Sequence, residues 1–247
     1  GKGPFLIFAH GLSSNRQVTK AQFETLADIY TIVVFDQRGH GDSTPVNDPS
    51  FYDPSIMAED IAAVMNSLGI EKAVVGGESM GAATALLFAL YYPHRVEKLL
   101  LTAPAFADKL NADQDRIKTM GRRIEEVGLS KYLEESAEKM RTEWELPQVA
   151  IDFIVEMQRV HNGPSLAVAC KKVIDWIILQ DLHSLKKLPF PVCIIGWPED
   201  TLHPLDLAKS FTEIIPNAQL ETIPSVVDMF SDPQIIGRIY RDFLHSL

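Results

Sequence analysis

Apolar positions along the chain fall into two patterns. Short stretches that are apolar almost throughout stand at Phe5–Ala9, Thr31–Asp36, Lys72–Gly76 and Val96–Thr102. Between them, apolar residues recur every three or four positions. Phe23, Leu26 and Ala27 share one face over Lys20–Tyr30. Ile56, Ile61 and Val64 do so over Pro54–Leu68, which Gly69 closes. The stretch from Ser79 to Tyr91 is rich in Ala and Leu and stops before Pro93. Continuous, β-branched runs predict strands buried on both faces, and the longer period predicts helices. Strands of that kind alternating with helices predict a parallel sheet covered on both sides.

The pattern then changes. From about Asp108 to Lys187 only helical spacing is found, over Asp115–Val127, Lys131–Thr142, Val149–His161 and Ser165–Leu179. Two strand–helix units follow, Val192–Gly196 before about Leu205–Ile215, and Gln219–Ile223 before about Pro233–Leu247. The reading is therefore an α/β fold, mostly parallel, with helices on both faces. Residues 1–105 and 189–247 form its core, and residues 106–188 form a helical cap over one end of the sheet. The chain opens almost directly on its first strand, so leading strands ahead of it are expected.

Composition narrows the partners. The chain has 247 residues, 46% of them hydrophobic, enough for one α/β domain with a substantial core. A net charge of −10 disfavours nucleic acid and anionic membrane surfaces. No apolar run reaches membrane-spanning length. Cys170 and Cys193 read as free core thiols, which points to a reducing, cytoplasmic setting. No His, Cys and Asp cluster has metal spacing, and no dinucleotide or nucleotide-triphosphate loop is present, so no cofactor is expected.

The chemistry concentrates at Gly77-Glu-Ser-Met-Gly81, a G-x-S-x-G between a strand and a helix. A serine at such a sharp turn takes a strained backbone and projects its hydroxyl above the sheet. The residues two positions either side must be tiny, because strand and helix approach closely. Gly77 and Gly81 meet that demand, with Ala82 following. The helix start also points free N–H groups at the same place.

With His10-Gly-Leu12 after the first strand, Asp36-Gln-Arg-Gly-His-Gly-Asp-Ser43 after the second and Gly196-Trp-Pro-Glu-Asp200 after the penultimate one, the sequence resembles the α/β-hydrolase fold family over essentially its whole length. That resemblance implies a cofactor-free serine hydrolase of a small or medium ester, thioester or lactone, with an apolar acyl substrate held under the cap. Ser79 would be the nucleophile, Asp200 the acid, and the backbone N–H groups of Leu12 and Met80 the oxyanion donors.

The histidine base is missing from its usual place. After the last strand the family has a histidine where this chain reads Ile223-Pro-Ser-Val-Val-Asp228, with Val227 in place of glycine. Of the seven histidines, His10 and His40 read as structural and His94 and His245 as surface residues. His161 and His183 lie in the cap, where either could reach the pocket. His203 is three residues after Asp200 and borders the expected site, so a rearranged Ser79–His203–Asp200 or Ser79–His203–Asp228 relay is open. The alternative is a loop histidine that supports the helix after Pro204. Alternative functions are a binding protein without turnover, or a member of the fold that cleaves C–C bonds, transfers acyl groups or acts as a lyase with Asp228 as acid or base.

Overall fold

A computed structural model describes residues 1–245. Its strands are β1 (Phe5–Ala9), β2 (Thr31–Phe35), β3 (Ala73–Glu78), β4 (Val96–Thr102), β5 (Val192–Gly196) and β6 (Ala218–Thr222). They form one parallel sheet in the order β2-β1-β3-β4-β5-β6. The helices are α1 (Arg16–Gln22), α2 (Pro54–Ser67), α3 (Met80–Tyr91), α4 (Gln114–Val127), α5 (Leu129–Thr142), α6 (Gln148–Arg159), α7 (Gly163–Val173), α8 (Leu205–Ile214), α9 (Val226–Ser231) and α10 (Ile235–His245).

Alternate residues of each strand feed opposite faces, as the pleat requires. Ile7, Val75, Leu99 and Ile194 join α2, α3 and α8 on one side. Leu6, Phe8, Val74, Leu100 and Cys193 meet Phe23, Trp197 and α10 on the other. Helix α3 is buried nearly all round, from Met80 to Ala89. That is why its sequence is almost purely apolar rather than amphipathic. Helices α4 to α7 all lie between β4 and β5 in the chain. Their apolar faces, with Ile117, Ile124, Leu166 and Val173, pack with Met80, Ala83 and Phe106.

Three segments depart from the pattern-based expectation. The first helix begins earlier, because Asn15 caps it by accepting from the Gln17 and Val18 amides. It ends at Phe23, and Phe23 and Leu26 are then buried from a 3₁₀ turn over Glu24–Leu26. The seventh helix stops at Val173 rather than running to Leu179. An additional short helix, α9, follows β6. Ser246 and Leu247, the end of the last expected helix, lie outside the described residues.

Strand order decides where a site forms. From β1 the chain moves outward to β2 on one side, then returns to place β3 on the other. At such a reversal the loops leaving adjacent strands splay apart and open a crevice at the carboxyl edge. Here the two loops are Gly11–Asn15, after β1, and the turn at Ser79, after β3.

Candidate active site

Ser79 sits between β3 and α3 with φ 53° and ψ −109°, a left-handed conformation that an L-residue rarely takes. Such strain typically costs about 1–3 kcal/mol and persists only where surroundings enforce it. Enforcement is visible at the two glycines. A Cβ on Gly77 would lie 2.1 Å from the Gly81 carbonyl oxygen, and one on Gly81 would lie 2.0 Å from that of Ala9. The Ser79 amide is bound to the Thr102 carbonyl at 2.9 Å, which ties the turn to the end of β4.

The hydroxyl of Ser79 meets an imidazole. His203 Nε2 is 2.9 Å from Ser79 Oγ, and His203 Nδ1 is 2.8 Å from Asp200 Oδ2. Asp200 and His203 belong to one loop between β5 and α8. The aspartate folds that loop itself, since its Oδ1 accepts from the Leu202 amide at 2.9 Å and the His203 amide at 3.1 Å. Its Oδ2 also accepts from Trp197 Nε1 at 2.7 Å. The Trp197 ring stands edge-on to the imidazole, 5.8 Å between centroids. Asn111 Nδ2 pins the loop further by donating to the Leu202 carbonyl at 2.8 Å.

These contacts settle the proton's position. Burial alone would raise the Asp200 pKa. The hydrogen bond and charge of His203, then the Trp197 and backbone N–H groups, outweigh it and hold the carboxyl well below the usual carboxylate range. A carboxylate only accepts, so Nδ1 of His203 carries the proton. Nε2 is left with its lone pair toward the Ser79 O–H. An arrangement of this kind can take a hydroxyl proton while the carboxylate stabilises the imidazolium that forms.

The loop after β1 passes beside the serine. A Cβ at Gly11 would stand 3.5 Å from that of Ser79. Neither the Leu12 nor the Met80 amide donates a hydrogen bond among the described residues. His10 fixes this loop. Its Nδ1–H donates to the Gly11 carbonyl at 2.7 Å, and Nε2 accepts from the Gln37 amide at 2.9 Å.

Of the sequence-derived candidates, Ser79, His203 and Asp200 are brought together, with Leu12 and Met80 around the serine. Asp228 makes no hydrogen bond to that group, although its neighbours Val226, Met229 and Phe230 line the cavity beside His203. It lies in the first turn of α9 and accepts from Ser225 Oγ at 2.8 Å, with no hydrogen bond to Ser79 or His203. The Ser225-Val-Val-Asp228 spacing is that of a helix-capping pair, and it was the overlooked signal for α9. His183 is exposed and pairs with Asp181. His161, missed as a structural residue, clasps two loops. Its Nδ1 accepts from the Gly41 amide and its Nε2–H donates to the Ser13 carbonyl, each at 2.9 Å.

A cavity of about 120 Å³ opens beside this group, walled by Leu12, Phe153, Met157, Trp197 and Met229 among others. A broader hollow of about 630 Å³ on the β2 edge contains none of the five residues gathered at the serine. Its charges are already spent on each other, Arg16 with Asp36 and Arg38 with Asp60.

Comparison with known proteins agrees with this fold. The family profile of the alpha/beta hydrolase fold matches residues 4–226. The chain is 32% identical to 3-oxoadipate enol-lactonase 1 of Acinetobacter baylyi, covering 99% of this chain and 90% of that protein. It is 25% identical to a putative carbamate hydrolase, RutD, of Caulobacter sp. strain K31, over 89% of this chain and 81% of that one. Among solved structures, a thermophilic esterase from Thermogutta terrifontis superposes with a TM-score of 0.81 at 25% identity, over 100% of this chain and 91% of that chain. A six-stranded parallel sheet, a serine at the strand–helix turn and a profile match over most of the sequence lead to one conclusion: the chain belongs to the α/β-hydrolase fold family.

Proposed function

We propose that the protein is a cofactor-free serine hydrolase of small carboxylic esters, thioesters or lactones, with Ser79 as nucleophile and His203 as base. The observation that carries this reading is the unbroken hydrogen-bonded chain from Ser79 Oγ through His203 to Asp200, at 2.9 and 2.8 Å. Ser79 Oγ attacks the carbonyl carbon as its proton passes to His203 Nε2. The carbonyl oxygen, now an anion, is met by the Leu12 and Met80 amides, each such donor contributing about 3 kcal/mol. The C–O or C–S bond to the leaving group then breaks, and that group takes the proton from His203. Water repeats the sequence on the acyl-enzyme, giving its proton to His203, releasing the acid and restoring Ser79.

Asp200 orients the imidazole throughout, and Asp228 has no part in these steps. Residues 106–188 act as a cap on a core of residues 1–105 and 189–247. Phe153 and Met157 of α6 supply part of the acyl pocket. The cavity volume favours short acyl chains. A cytoplasmic setting belongs to the same reading, supported by two buried and unpaired thiols, Cys170 and Cys193.

The test is labelling with a fluorophosphonate, with the modified peptide located by mass spectrometry, alongside turnover of p-nitrophenyl butyrate. The adduct is expected on Ser79, and Ser79→Ala is expected to abolish both labelling and turnover. A wild-type protein that neither labels nor turns over such esters is a binding protein on this fold, and the reading fails.

A further inference from the structure

The cavity beside Ser79 is apolar over most of its wall, and no Lys or Arg lines it. Besides His203, its polar side chains are Ser14, Gln22 and Glu78. Glu78 is the last residue of β3 and directly precedes the serine, so its position is as fixed as that of the nucleophile. Gln22, the last residue of α1, is only 2% exposed. Its Nε2 donates to Glu78 Oε2 at 3.2 Å. The other oxygen, Oε1, accepts no hydrogen bond among the described residues and is not sealed in packing. It lies on the side of Gly11, 3.6 Å from where a Cβ of that residue would be.

Glu78 lines the apolar cavity, and an unpaired carboxyl oxygen there is costly unless water or a ligand group reaches it. Burial accordingly pushes the Glu78 pKa up, against the opposing effects of Gln22 and His203. No other described residue offers that oxygen a partner. It is therefore free to accept from a group on a molecule that enters the cavity.

We propose that Glu78, oriented by Gln22, is a specificity-determining subsite for a short acyl chain that carries a hydrogen-bond donor, an N–H or O–H group, neutral or cationic. This inference rests on the hydrolase reading above and names its substrate class. A volume of about 120 Å³ suits a chain of a few carbons ending in such a group. The same carboxyl repels an acyl chain that ends in a carboxylate, and no cation in the wall offsets that repulsion. Substrates with a free carboxylate on the acyl chain are thus excluded by charge.

The experiment compares kcat/KM for four methyl esters, followed by acid release in a pH-stat: methyl butanoate, methyl 3-hydroxypropanoate, methyl 3-aminopropanoate and monomethyl succinate. In the wild type the hydroxy and amino esters are expected to exceed butanoate by about tenfold, the usual worth of a hydrogen bond to a charged group. The succinate ester is expected to fall at least about tenfold below butanoate. Glu78→Gln keeps the size and the bond from Gln22 but loses the charge. It should bring the amino-to-butanoate ratio to within about twofold and raise the succinate ester toward butanoate. A general effect on the neighbouring serine would move all four rates together and leave those ratios alone. Wild-type turnover of butanoate as fast as of both donor esters, or ratios unchanged in Glu78→Gln, overturns the subsite and leaves the hydrolase reading standing. Failure on all four esters together with no labelling of Ser79 overturns both.

Discussion

Asp200 does two jobs with its two oxygens. Oδ1 receives two backbone amides and so shapes the loop that carries His203. Oδ2 receives Nδ1 of that histidine and the indole N–H of Trp197. Asp200 and His203 are three residues apart, so their relative position is set by one local turn rather than by packing between distant elements. Trp197 is 2% exposed, and its N–H has no role other than this bond. Trp197→Phe keeps most of the ring packing and deletes one donor to a charged acceptor, worth about 1.5–3 kcal/mol. Ester turnover by this variant is expected to fall about tenfold in kcat/KM, with Ser79 still labelled by a fluorophosphonate. Unchanged kcat/KM would show that the indole does not help hold the carboxylate.

At the scale of elements, legibility in the sequence followed burial. Strands β1, β4 and β5 coincide with the expected Phe5–Ala9, Val96–Thr102 and Val192–Gly196, because their buried positions are apolar in unbroken runs, through Leu99–Leu101 in β4, where Glu97 and Lys98 emerge from the core. The serine turn was legible because Gly77 and Gly81 leave room for nothing larger, a constraint written in two residues. Where a side chain rather than periodicity ends an element, the pattern failed. Asn15 moved the start of α1, and the short helix α9 after Ser225 carries too few residues for a period to show. In that unforeseen helix one Asp228 carboxylate oxygen accepts from Ser225 Oγ, and no hydrogen bond runs from Asp228 to Ser79 or His203 among the described residues. His203 could be picked out among seven histidines by its closeness to Asp200. Its direction could not, because it depends on the Asp200 side chain folding the loop back on itself. His161 was illegible for a related reason: its partners, Gly41 and Ser13, are far from it in the chain.

The molecule as a whole buries three imidazoles together, at least one of them on the loop after β1 beside the serine. His10, His40 and His161 form a row, with 5.2 Å between successive ring centroids. Burial lowers the pKa of all three, that of His10 from 6.5 to about 4. The unfolded chain takes up protons at these positions below about pH 6.5, whereas the folded chain resists them. Their contribution to stability is therefore complete above about pH 6.5 and is lost as pH falls below it, toward about 4 for His10. For His10 alone the loss between pH 7.5 and pH 5 is about 2 kcal/mol. Glu78, whose pKa is raised, acts with the opposite sign, and Asp200 matters only at still lower pH. Urea unfolding should accordingly give a lower free energy at pH 5 than at pH 7.5, and an equal or higher value would contradict the neutral-histidine row. On the same scale, the imidazole that meets Ser79 comes from the loop after β5, and the hydrolase proposed above takes it as its base. The most direct test is kcat/KM for p-nitrophenyl butyrate in His203→Ala beside Asp228→Asn. The account predicts a loss of at least about a thousandfold in the first and a value within about twofold of wild type in the second. Near-normal activity in His203→Ala, or a collapse in Asp228→Asn, would contradict it.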